Sequence, residues 1–279
     1  MVSRRRPRVP TRVPGLTVAR LVATDLDGTL VRRDGTVSAY TRSVIDRLDA
    51  LDVPVVFVTG RPLRWAEEVF EYVGAHGLAV VSNGALVWDV AGDQVHLTRT
   101  IPVDVGLATC DRIRAAVPGS SFAVETLDGI ALEPEFLERH PVPDGSRRGP
   151  LREVFDGPAL KLLARHEELE PQKFWDLAAD AAAEAVVVTW SSTSALLEIS
   201  AAGVTKASTL ALLCRRLGVP PADVVAFGDM PNDLPMLEWA GVSYAMADAH
   251  PTVVAAADHV APSNDDDGVA RVLAGLFDL

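Results

Sequence analysis

The sequence is poor in several features that would define a structural class. Its 279 residues include only two cysteines, Cys110 and Cys214, which have no CxxC spacing. This excludes a disulfide framework and a cysteine-based zinc site, and it fits a reducing, cytoplasmic setting. No apolar run approaches the roughly 20 residues that a membrane span requires, so we expect no membrane partner.

Positive charge is scarce beyond the amino terminus. The formal net charge is −12, from 26 Lys and Arg against 38 Asp and Glu. Six arginines lie within the first 20 residues, which contain no acid, so the rest of the chain is more acidic than the whole. Because nucleic-acid binding depends on neutralising phosphates, this balance argues against a nucleic-acid partner.

Residues 1–17 are rich in arginine and proline. This composition predicts a disordered tail, because such a segment buries too little apolar surface to fold. An Arg-rich, acid-free start is also compatible with an organellar targeting peptide, but the prolines interrupt the amphipathic helix that such a peptide needs. The segment has no apolar stretch for a secretory signal.

The sequence does contain a regular alternation of apolar runs with helical patterns. It covers residues 18–85 and returns over residues 201–279. This alternation predicts an α/β fold, a Rossmann-like three-layer core with a parallel sheet between helices. Residues 86–200 change to hairpin-like strands mixed with helices. They predict a second, mostly antiparallel α+β domain inserted into the first.

Two acids follow the first predicted strand. Asp25 and Asp27 stand directly after the apolar run of residues 21–24 and before Gly28. On its own, this motif is as typical of a solvated turn as of a site, because Asp and Gly are turn residues. Further polar motifs follow other predicted strands or open a helix: Thr59-Gly60, Lys206, and Gly228-Asp229 with Asn232-Asp233.

Together these motifs predict a site for phosphoryl chemistry. The carboxyl ends of the strands are where open α/β sheets bind ligands. Carboxylates gathered there suit Mg²⁺, a hard cation that prefers oxygen ligands. The hydroxyl of Thr59 and the ammonium of Lys206 suit phosphate oxygens. A carboxylate can also accept a phosphoryl group and form an aspartyl-phosphate.

The motifs resemble the four motifs of the haloacid-dehalogenase-like (HAD) superfamily of phosphatases. Residues 25–30 resemble the first motif, Thr59-Gly60-Arg61 the second, Lys206 the third and residues 228–233 the fourth, in the same order and strand contexts. The likeness runs from about residue 18 to the end of the chain. The long insert and the Ser82-Asn83-Gly84-Ala85 turn are similar to the Cof-type branch, whose inserted cap is called subclass IIB.

The resemblance implies a role for each matching residue. Asp25 is the nucleophile, and Asp27 is the general acid and base that protonates the leaving alcohol and then activates water. Asp25 and Asp229 supply carboxylates to the Mg²⁺ cofactor, and Asp27 supplies its backbone carbonyl. Asp233 supports Lys206 or metal-bound water. The remaining residues are expected to bind phosphate or substrate: Thr59, Gly60, Asn83, Gly84, Lys206 and Asn232.

Other polar residues have less specific expectations. Arg61 is expected only to pair with an acid. In the inserted domain, each candidate for substrate contact is equally compatible with a position that faces solvent: Glu125, Lys161, Arg165 and Ser191.

We therefore expect a cytoplasmic, Mg²⁺-dependent phosphatase that hydrolyses small phosphomonoesters, with sugar phosphates as the leading class. Its partner is then a small phosphorylated metabolite, and the chain acts as a monomer or homodimer. Asp27 favours hydrolysis, because ion-pump relatives with a longer-lived acyl-phosphate carry Thr at that position. Two alternatives stay open: a phosphotransferase or phosphosugar mutase of the same fold, and a non-catalytic module that binds a phosphorylated metabolite.

Overall fold

A computed structural model of the chain describes residues 19–74, 77–190 and 195–279. The predicted tail over residues 1–17 and the candidate Ser191 lie outside these ranges. Within them the strands are β1 (Leu21–Thr24), β2 (Val55–Val58), β3 (Leu78–Val81), β4 (Leu86–Asp89), β5 (Gln94–Thr98), β6 (Ser121–Thr126), β7 (Gly129–Leu132), β8 (Arg147–Arg148), β9 (Lys161–Arg165), β10 (Val186–Thr189), β11 (Leu196–Ala201), β12 (Val224–Gly228), β13 (Val242–Met246) and β14 (His259–Ala261).

The α-helices of the same ranges are α1 (Ala39–Asp49), α2 (Leu63–Ala66), α3 (Val103–Ala116), α4 (Leu151–Val154), α5 (Pro171–Ala182), α6 (Lys206–Leu217), α7 (Leu234–Trp239), α8 (Pro251–Ala256) and α9 (Gly268–Leu276). None of these helices combines the length and the apolar content that crossing a membrane requires. Segments of 3₁₀ helix lie at Glu67–Tyr72, Ser82–Gly84, Ala183–Ala185, Pro221–Asp223, Pro231–Asp233 and Asn264–Asp266.

The larger sheet has eight described strands in the spatial order β14–β13–β12–β1–β2–β3–β4–β5. The first six strands in this order, β14, β13, β12, β1, β2 and β3, run parallel to one another. β1 lies between β12 and β2 and pairs with both. Alternate residues of β1 face opposite layers. Val22 packs in the core of α1 and α9, whereas Leu21 and Ala23 pack in the core of α6 and α7. The predicted three-layer α/β core is confirmed, because helices cover both faces of this sheet. A fully buried and mainly apolar strand such as β1 suits that position.

The smaller sheet has six described strands in the order β10–β11–β9–β6–β7–β8. All pairings are antiparallel except that of β7 with β8. Val124 and Leu162 face α3 and α5 in the apolar core of this region. Since side chains alternate along a strand, Glu125, Lys161 and Glu198 lie on the opposite face. Glu125 stands directly opposite Lys161 in the register of β6 and β9.

The hairpin of β4 and β5 differs from the prediction. Residues 86–98 are predicted to belong to the inserted domain, whereas β4 pairs antiparallel with β3 at the edge of the larger sheet. The alternation within a hairpin does not specify which sheet its outer strand joins, so the sequence pattern does not reveal this pairing. The chain crosses to the smaller sheet only after β5, because Ile101 already packs in that sheet's core.

Candidate active site

Three neighbouring strands bring polar residues to one edge of the larger sheet. Asp25 follows β1, Thr59 follows β2 and Asp229 follows β12. These strands are adjacent and parallel, so their carboxyl ends lie side by side. The loops after β1 and β12 also bring Asp27 and Asn232 here. Together with Asp25 and Thr59 they line a cavity between the two sheets, which is described below. Motifs that are far apart in the sequence therefore meet in one place.

Lys206 reaches this edge from the first turn of α6. Thr205 caps the helix, because its hydroxyl accepts from the Ser208 N–H and the Ser208 hydroxyl accepts from the Thr205 N–H, both at 3.0 Å. From this fixed start, the Lys206 ammonium donates to Asp25 Oδ1 and Asp233 Oδ1, each at 2.6 Å. Its side chain is 1% exposed, a position in which lysine is almost always paired.

Asp233 organises the turn after β12. Its Oδ2 accepts hydrogen bonds from the backbone N–H groups of Asp229 and Met230, both at 3.0 Å. Its Oδ1 accepts from Lys206 at 2.6 Å. Both oxygens of Asp233 are therefore engaged, and its carboxylate fixes the loop and the lysine together.

Asp229 lies beside the nucleophile candidate. Its Oδ1 accepts from the Thr29 hydroxyl at 2.9 Å. The loop of Gly28 lies against its carboxylate so closely that a Cβ would collide there, and the φ of Gly28, +78°, also favours glycine. Three carboxylate oxygens, one each from Asp25, Asp229 and Asp233, lie within 4.8 Å of one another.

This cluster has more negative than positive charge, since its three aspartates surround one ammonium. Burial raises the pKa of Asp229 to about 7, and the charge of Asp233 adds to this effect. Burial also raises the pKa of Asp25, against the lowering effect of Lys206. A set of oxygen donors with excess negative charge fits a divalent cation such as Mg²⁺. Asp25 and Asp229 are its best placed carboxylates, because Asp233 is engaged elsewhere.

Asp27 has a different environment from the other acids. Its side chain is 61% exposed, and its two carboxylate oxygens accept from Arg61 Nη2 at 2.6 Å and Arg61 Nε at 2.8 Å. The sequence predicts that Arg61 pairs with an acid, and the structure identifies that acid as Asp27. The carboxylate of Asp27 is not part of the cluster around Lys206, and a ligand role for its backbone carbonyl stays a prediction.

Asn83 lies between the two sheets, in the turn after β3. Its backbone N–H donates to the carbonyl of Thr59 at 3.0 Å. Its side-chain amide donates from Nδ2 to Glu198 Oε2 at 3.0 Å, and its Oδ1 accepts from Asn232 Nδ2 at 3.1 Å. Asn83 therefore connects the phosphate-binding candidates Thr59 and Asn232 to the smaller sheet.

Gly84 supports the start of α6. Its carbonyl accepts from the Thr209 hydroxyl at 2.7 Å. A Cβ at Gly84 would collide with the Thr205 carbonyl, and its φ is +99°. Asn83 and Gly84 are not among the described residues that line the cavity between the two sheets. Two other residues that are predicted to bind phosphate, Thr59 and Gly60, do line it.

A cavity of about 520 Å³ lies between this edge of the larger sheet and the smaller sheet. On the larger-sheet side its wall includes Asp25, Asp27, Thr59, Gly60, Arg61 and Asn232. On the smaller-sheet side its wall includes Glu125, Lys161, Leu163, Leu196 and Glu198.

A buried ion cluster connects the smaller sheet to the larger one. The Lys161 ammonium donates to Glu198 Oε1 at 2.8 Å and to the Gly60 carbonyl at 2.9 Å, and it lies 3.3 Å from Glu125 Oε2. Arg64 Nη2 donates to Glu125 Oε1 at 2.9 Å. Burial lowers the pKa of Lys161, but the two glutamates outweigh burial and raise it. The cluster holds the smaller sheet against the residue that follows Thr59.

The polar candidates of the inserted segment have different outcomes. Glu125 and Lys161 line the cavity, whereas Arg165 lies over the Phe136 ring, 5.4 Å from its centroid. Ser191 is outside the described residues. Sequence reasoning missed Glu198, although an acid in the middle of the apolar run Leu196–Ala201 is itself a signal, because a buried carboxylate needs a partner.

A parallel α/β core with an acidic, lysine-containing site at its strand ends, covered by an inserted sheet, defines the class as a capped Rossmann-like protein with a carboxylate–lysine site. Comparison with known proteins identifies the family within this class. The chain belongs to the haloacid dehalogenase-like hydrolases, whose family model matches residues 22–273.

Two of the similar relatives are phosphatases by name. The chain is 30% identical over 267 residues to the 5-amino-6-(5-phospho-D-ribitylamino)uracil phosphatase YitU of Bacillus subtilis, covering 93% of this chain and 98% of that protein. It is also 30% identical over 249 residues to the HMP-PP phosphatase of Serratia proteamaculans, covering 83% and 85%. The predicted enzyme class, a phosphoric monoester hydrolase, is confirmed at the level of the family.

Solved structures have the same fold. SMU.1108c from Streptococcus mutans is similar with a TM-score of 0.81 and 25% identity, over 91% of this chain and 97% of that one. The subclass IIB sugar phosphatase BT4131 is similar with a TM-score of 0.73 and 20% identity, over 91% and 97%. The predicted resemblance to a Cof-type member of the HAD superfamily is confirmed, and the chain shares the fold of a protein that is described as subclass IIB.

Proposed function

We propose that the chain hydrolyses small phosphomonoesters in a Mg²⁺-dependent reaction, with Asp25 as the nucleophile. The position of Asp25 carries this proposal. It lines the cavity between the sheets, its Oδ1 accepts from Lys206 at 2.6 Å, and Asp229 lies beside it. A carboxylate held in this way can attack phosphorus while the neighbouring ammonium offsets the charge of the phosphate.

Asp27 is proposed to move the protons of both steps. When Asp25 attacks phosphorus, the bond from phosphorus to the alcohol oxygen breaks, and Asp27 gives that oxygen a proton. In the second step, Asp27 takes a proton from a water whose oxygen attacks phosphorus, so that free phosphate leaves and Asp25 becomes a carboxylate again. Asp27 lines the cavity beside Asp25, which supports this role.

The cation is proposed to bind Asp25, Asp229 and the backbone carbonyl of Asp27. When bound, Mg²⁺ would offset the negative charge of the transferring phosphoryl group. Asp233 is then a positioning residue, because it holds both Lys206 and the backbone of Asp229.

The phosphate is proposed to bind the Thr59 hydroxyl, the Gly60 loop and the Asn232 amide, all on the cavity wall. Asn83 positions Asn232 through its side-chain hydrogen bond, and Gly84 supports the helix that presents Lys206.

The inserted domain is proposed to set substrate specificity, since its sheet forms the far wall of the cavity. The pairing of β4 with β3 moves the proposed boundary from residue 86 to about residue 99. The names of the two relatives support a phosphatase and differ in substrate. The proposal is therefore limited to small phosphorylated metabolites, sugar phosphates among them, used in the cytoplasm.

The test is phosphate release from p-nitrophenyl phosphate by wild type and Asp25→Asn, with Mg²⁺ and with a chelator. We expect release only with Mg²⁺ and a loss of at least about 1,000-fold in Asp25→Asn, because the nucleophile is removed. Asp258→Asn is the matched control, since its carboxylate accepts from Ser243 away from the cavity.

Full activity in Asp25→Asn would contradict the proposed mechanism. Transfer of the phosphoryl group to an added sugar, without free phosphate, would indicate the phosphotransferase or mutase alternative. Binding of phosphate without any turnover would indicate the binding module.

A further inference from the structure

Asp27 differs from the other acids of the site because packing does not fix its orientation. It lies in the loop after β1, and its side chain is 61% exposed. It lines the cavity between the sheets and also a second cavity of about 370 Å³, whose wall includes Gly28, Asp229 and Asn264. Asp25 lines the first cavity but is not among the described residues of the second wall. Asp27 can therefore act together with Asp25 only when its carboxylate is directed to the first cavity.

Arg61 supplies the contact that orients this carboxylate. Its Nη2 and Nε donate to the two carboxylate oxygens of Asp27, at 2.6 and 2.8 Å. Two parallel bonds from a planar guanidinium fix both the position and the plane of a carboxylate. Within the described part of the chain, no other group of the protein donates to the Asp27 carboxylate. Its orientation therefore depends on Arg61.

Arg61 is itself held at both ends. Its backbone N–H donates to the Thr59 hydroxyl oxygen at 3.0 Å, and its carbonyl accepts from the Ser82 N–H at 2.9 Å. At the far end of the side chain, Nη1 donates to the Trp65 carbonyl at 3.1 Å. The Arg61 side chain is 16% exposed, against 61% for that of Asp27. The guanidinium is thus the fixed partner of the pair, and the carboxylate is the one that it holds.

The pair leaves Asp27 able to accept a proton from water. An ionised carboxylate has about four lone-pair sites on its two oxygens, and Arg61 occupies one site on each oxygen. One site per oxygen therefore remains for a water molecule in the cavity between the sheets. A carboxylate that is oriented and still has free acceptor sites is suited to act as a general base.

We propose that Arg61 is a positioning residue for the second chemical step, in which the aspartyl-phosphate on Asp25 is hydrolysed. Asp27, oriented by Arg61, takes one proton from a water, and the oxygen of that water forms a bond to phosphorus. The bond from phosphorus to the Asp25 oxygen breaks, and its electron pair restores the Asp25 carboxylate. Hydrogen phosphate leaves, and Asp27 keeps the proton for the leaving alcohol of the next turnover. This inference rests on the proposed phosphatase function and assigns Arg61 to one of its two steps.

The test uses p-nitrophenyl phosphate, whose leaving group departs as a stable anion without a proton from the enzyme. For this ester, kcat/KM reports the steps up to the aspartyl-phosphate, whereas kcat also includes its hydrolysis. In Arg61→Met we expect kcat to fall about 10–100-fold, which is part of the roughly 100–10,000-fold that a positioned base contributes. The value of kcat/KM should stay within about 3-fold of wild type, so KM should fall together with kcat.

The phosphorylated chain itself gives a second readout. On mixing Arg61→Met with excess ester, p-nitrophenol should appear in a burst of about one per active site before slow turnover, and acid quenching should trap the phosphorylated chain. Arg61→Lys keeps the charge but cannot make two parallel bonds, so its kcat should lie between those of wild type and Arg61→Met. Full kcat in Arg61→Lys would show that charge alone suffices and would overturn the orienting role.

Arg114→Met is the matched control. Arg114 Nη2 also donates to both oxygens of one carboxylate, that of Glu133, at 2.6 and 2.7 Å. Arg114 is not among the described residues of either cavity wall. Its substitution should leave kcat and kcat/KM for p-nitrophenyl phosphate unchanged and should give no burst.

A double substitution tests whether Arg61 acts through Asp27. Added to Asp27→Asn, Arg61→Met should change kcat by less than about 2-fold, because the base that it orients is already lost. An equal fall of kcat and kcat/KM in Arg61→Met, with KM unchanged, would overturn the inference, since the loss would then lie in the first step. If Arg61→Met does not fold, Arg61→Lys must show the same split between kcat and kcat/KM. Full activity in Asp25→Asn, by contrast, would refute the proposed function itself.

Discussion

Lys206, at the larger sheet, and Lys161, on the smaller sheet, have closely similar surroundings. Their exposed fractions are 1% and 2%. The ammonium of Lys206 lies between two aspartates, and the ammonium of Lys161 lies between two glutamates. Local burial and pairing alone therefore do not show which of the two lysines belongs to the proposed reactive site.

The difference lies in the charge balance of each cluster. Asp229 is a third acid beside the pair around Lys206. Arg64 is a second cation beside the pair around Lys161, so that cluster has two acids and two bases. A balanced buried cluster is complete within the protein, whereas an unbalanced one is completed by a ligand. The imbalance therefore supports the proposal that the larger-sheet cluster is the reactive one.

The largest effect is expected from Lys206→Met, which leaves the buried acids Asp25 and Asp233, and the half-buried Asp229 beside them, without their ammonium. Phosphatase activity should fall at least about 1,000-fold, and the free energy of unfolding should fall by about 3–5 kcal/mol, as when one partner of a buried pair is removed. Phosphate release and urea unfolding measure the two quantities. Lys173→Met, on the exposed surface of α5, is the control. If Lys206→Met kept more than about a tenth of the wild-type activity, the proposal that Lys206 and Lys161 have different roles would be wrong.

A smaller loss of activity is expected from Lys161→Met. The unfolding free energy should fall by a similar amount, about 3–5 kcal/mol, because two buried glutamates lose a partner. Activity should fall only about 10–100-fold, because no reacting group is removed. The change removes the hydrogen bond to the Gly60 carbonyl and so displaces the Thr59-Gly60 turn that is proposed to bind phosphate. Equal losses of kcat in the two lysine variants would show that charge balance does not separate their roles.

The third prediction concerns Mg²⁺ itself. A cation that completes the unbalanced cluster should raise the Tm of wild type by about 5 °C at 100-fold excess over its Kd. Thermal unfolding with and without MgCl₂ measures this shift. Asp229→Asn should abolish it, because a ligand is lost. Glu198→Gln should retain it, because the balanced cluster binds no cation, and a shift lost in both variants would contradict the assignment.

Much of the fold could be predicted from sequence because it is locally encoded. A strand buried on both faces, such as Leu21–Thr24, reads as a continuous apolar run, and the polar residues that end it mark the binding edge of a parallel sheet. The sheet to which Leu86–Asp89 belongs could not be predicted, because the pairing partner of an edge strand is a tertiary property.

The site was predictable to the extent that each motif is contiguous. Asp25 and Lys206 are recognised by their neighbours in sequence, whereas the partner of Arg61 depends on how two loops approach each other. The hydrogen bond from Asn83 to Glu198 joins residues 115 positions apart. No local pattern encodes such a contact, although the lone acid within an apolar strand indicates that one exists.

The smallest effect is expected in the pH dependence of stability without divalent cations. The pKa of Asp229 is raised from its ordinary value of 3.8 to about 7 in the folded chain, chiefly by burial. Between these values the folded state binds more protons than the unfolded state, so this group lowers stability as pH rises. In a chelating buffer, the Tm of wild type should therefore fall by about 2 °C more than that of Asp229→Asn between pH 5 and 7.

Two controls accompany this measurement: a variant of the balanced cluster and the addition of Mg²⁺. Glu198→Gln alters the balanced cluster and should keep the wild-type slope. Saturating Mg²⁺ should flatten the wild-type slope, because a bound cation favours the ionised carboxylates and removes the reason for proton uptake. If wild type and Asp229→Asn had the same slope in the chelator, or if Mg²⁺ left the wild-type slope unchanged, excess negative charge would not be the property that separates the reactive cluster from the structural one.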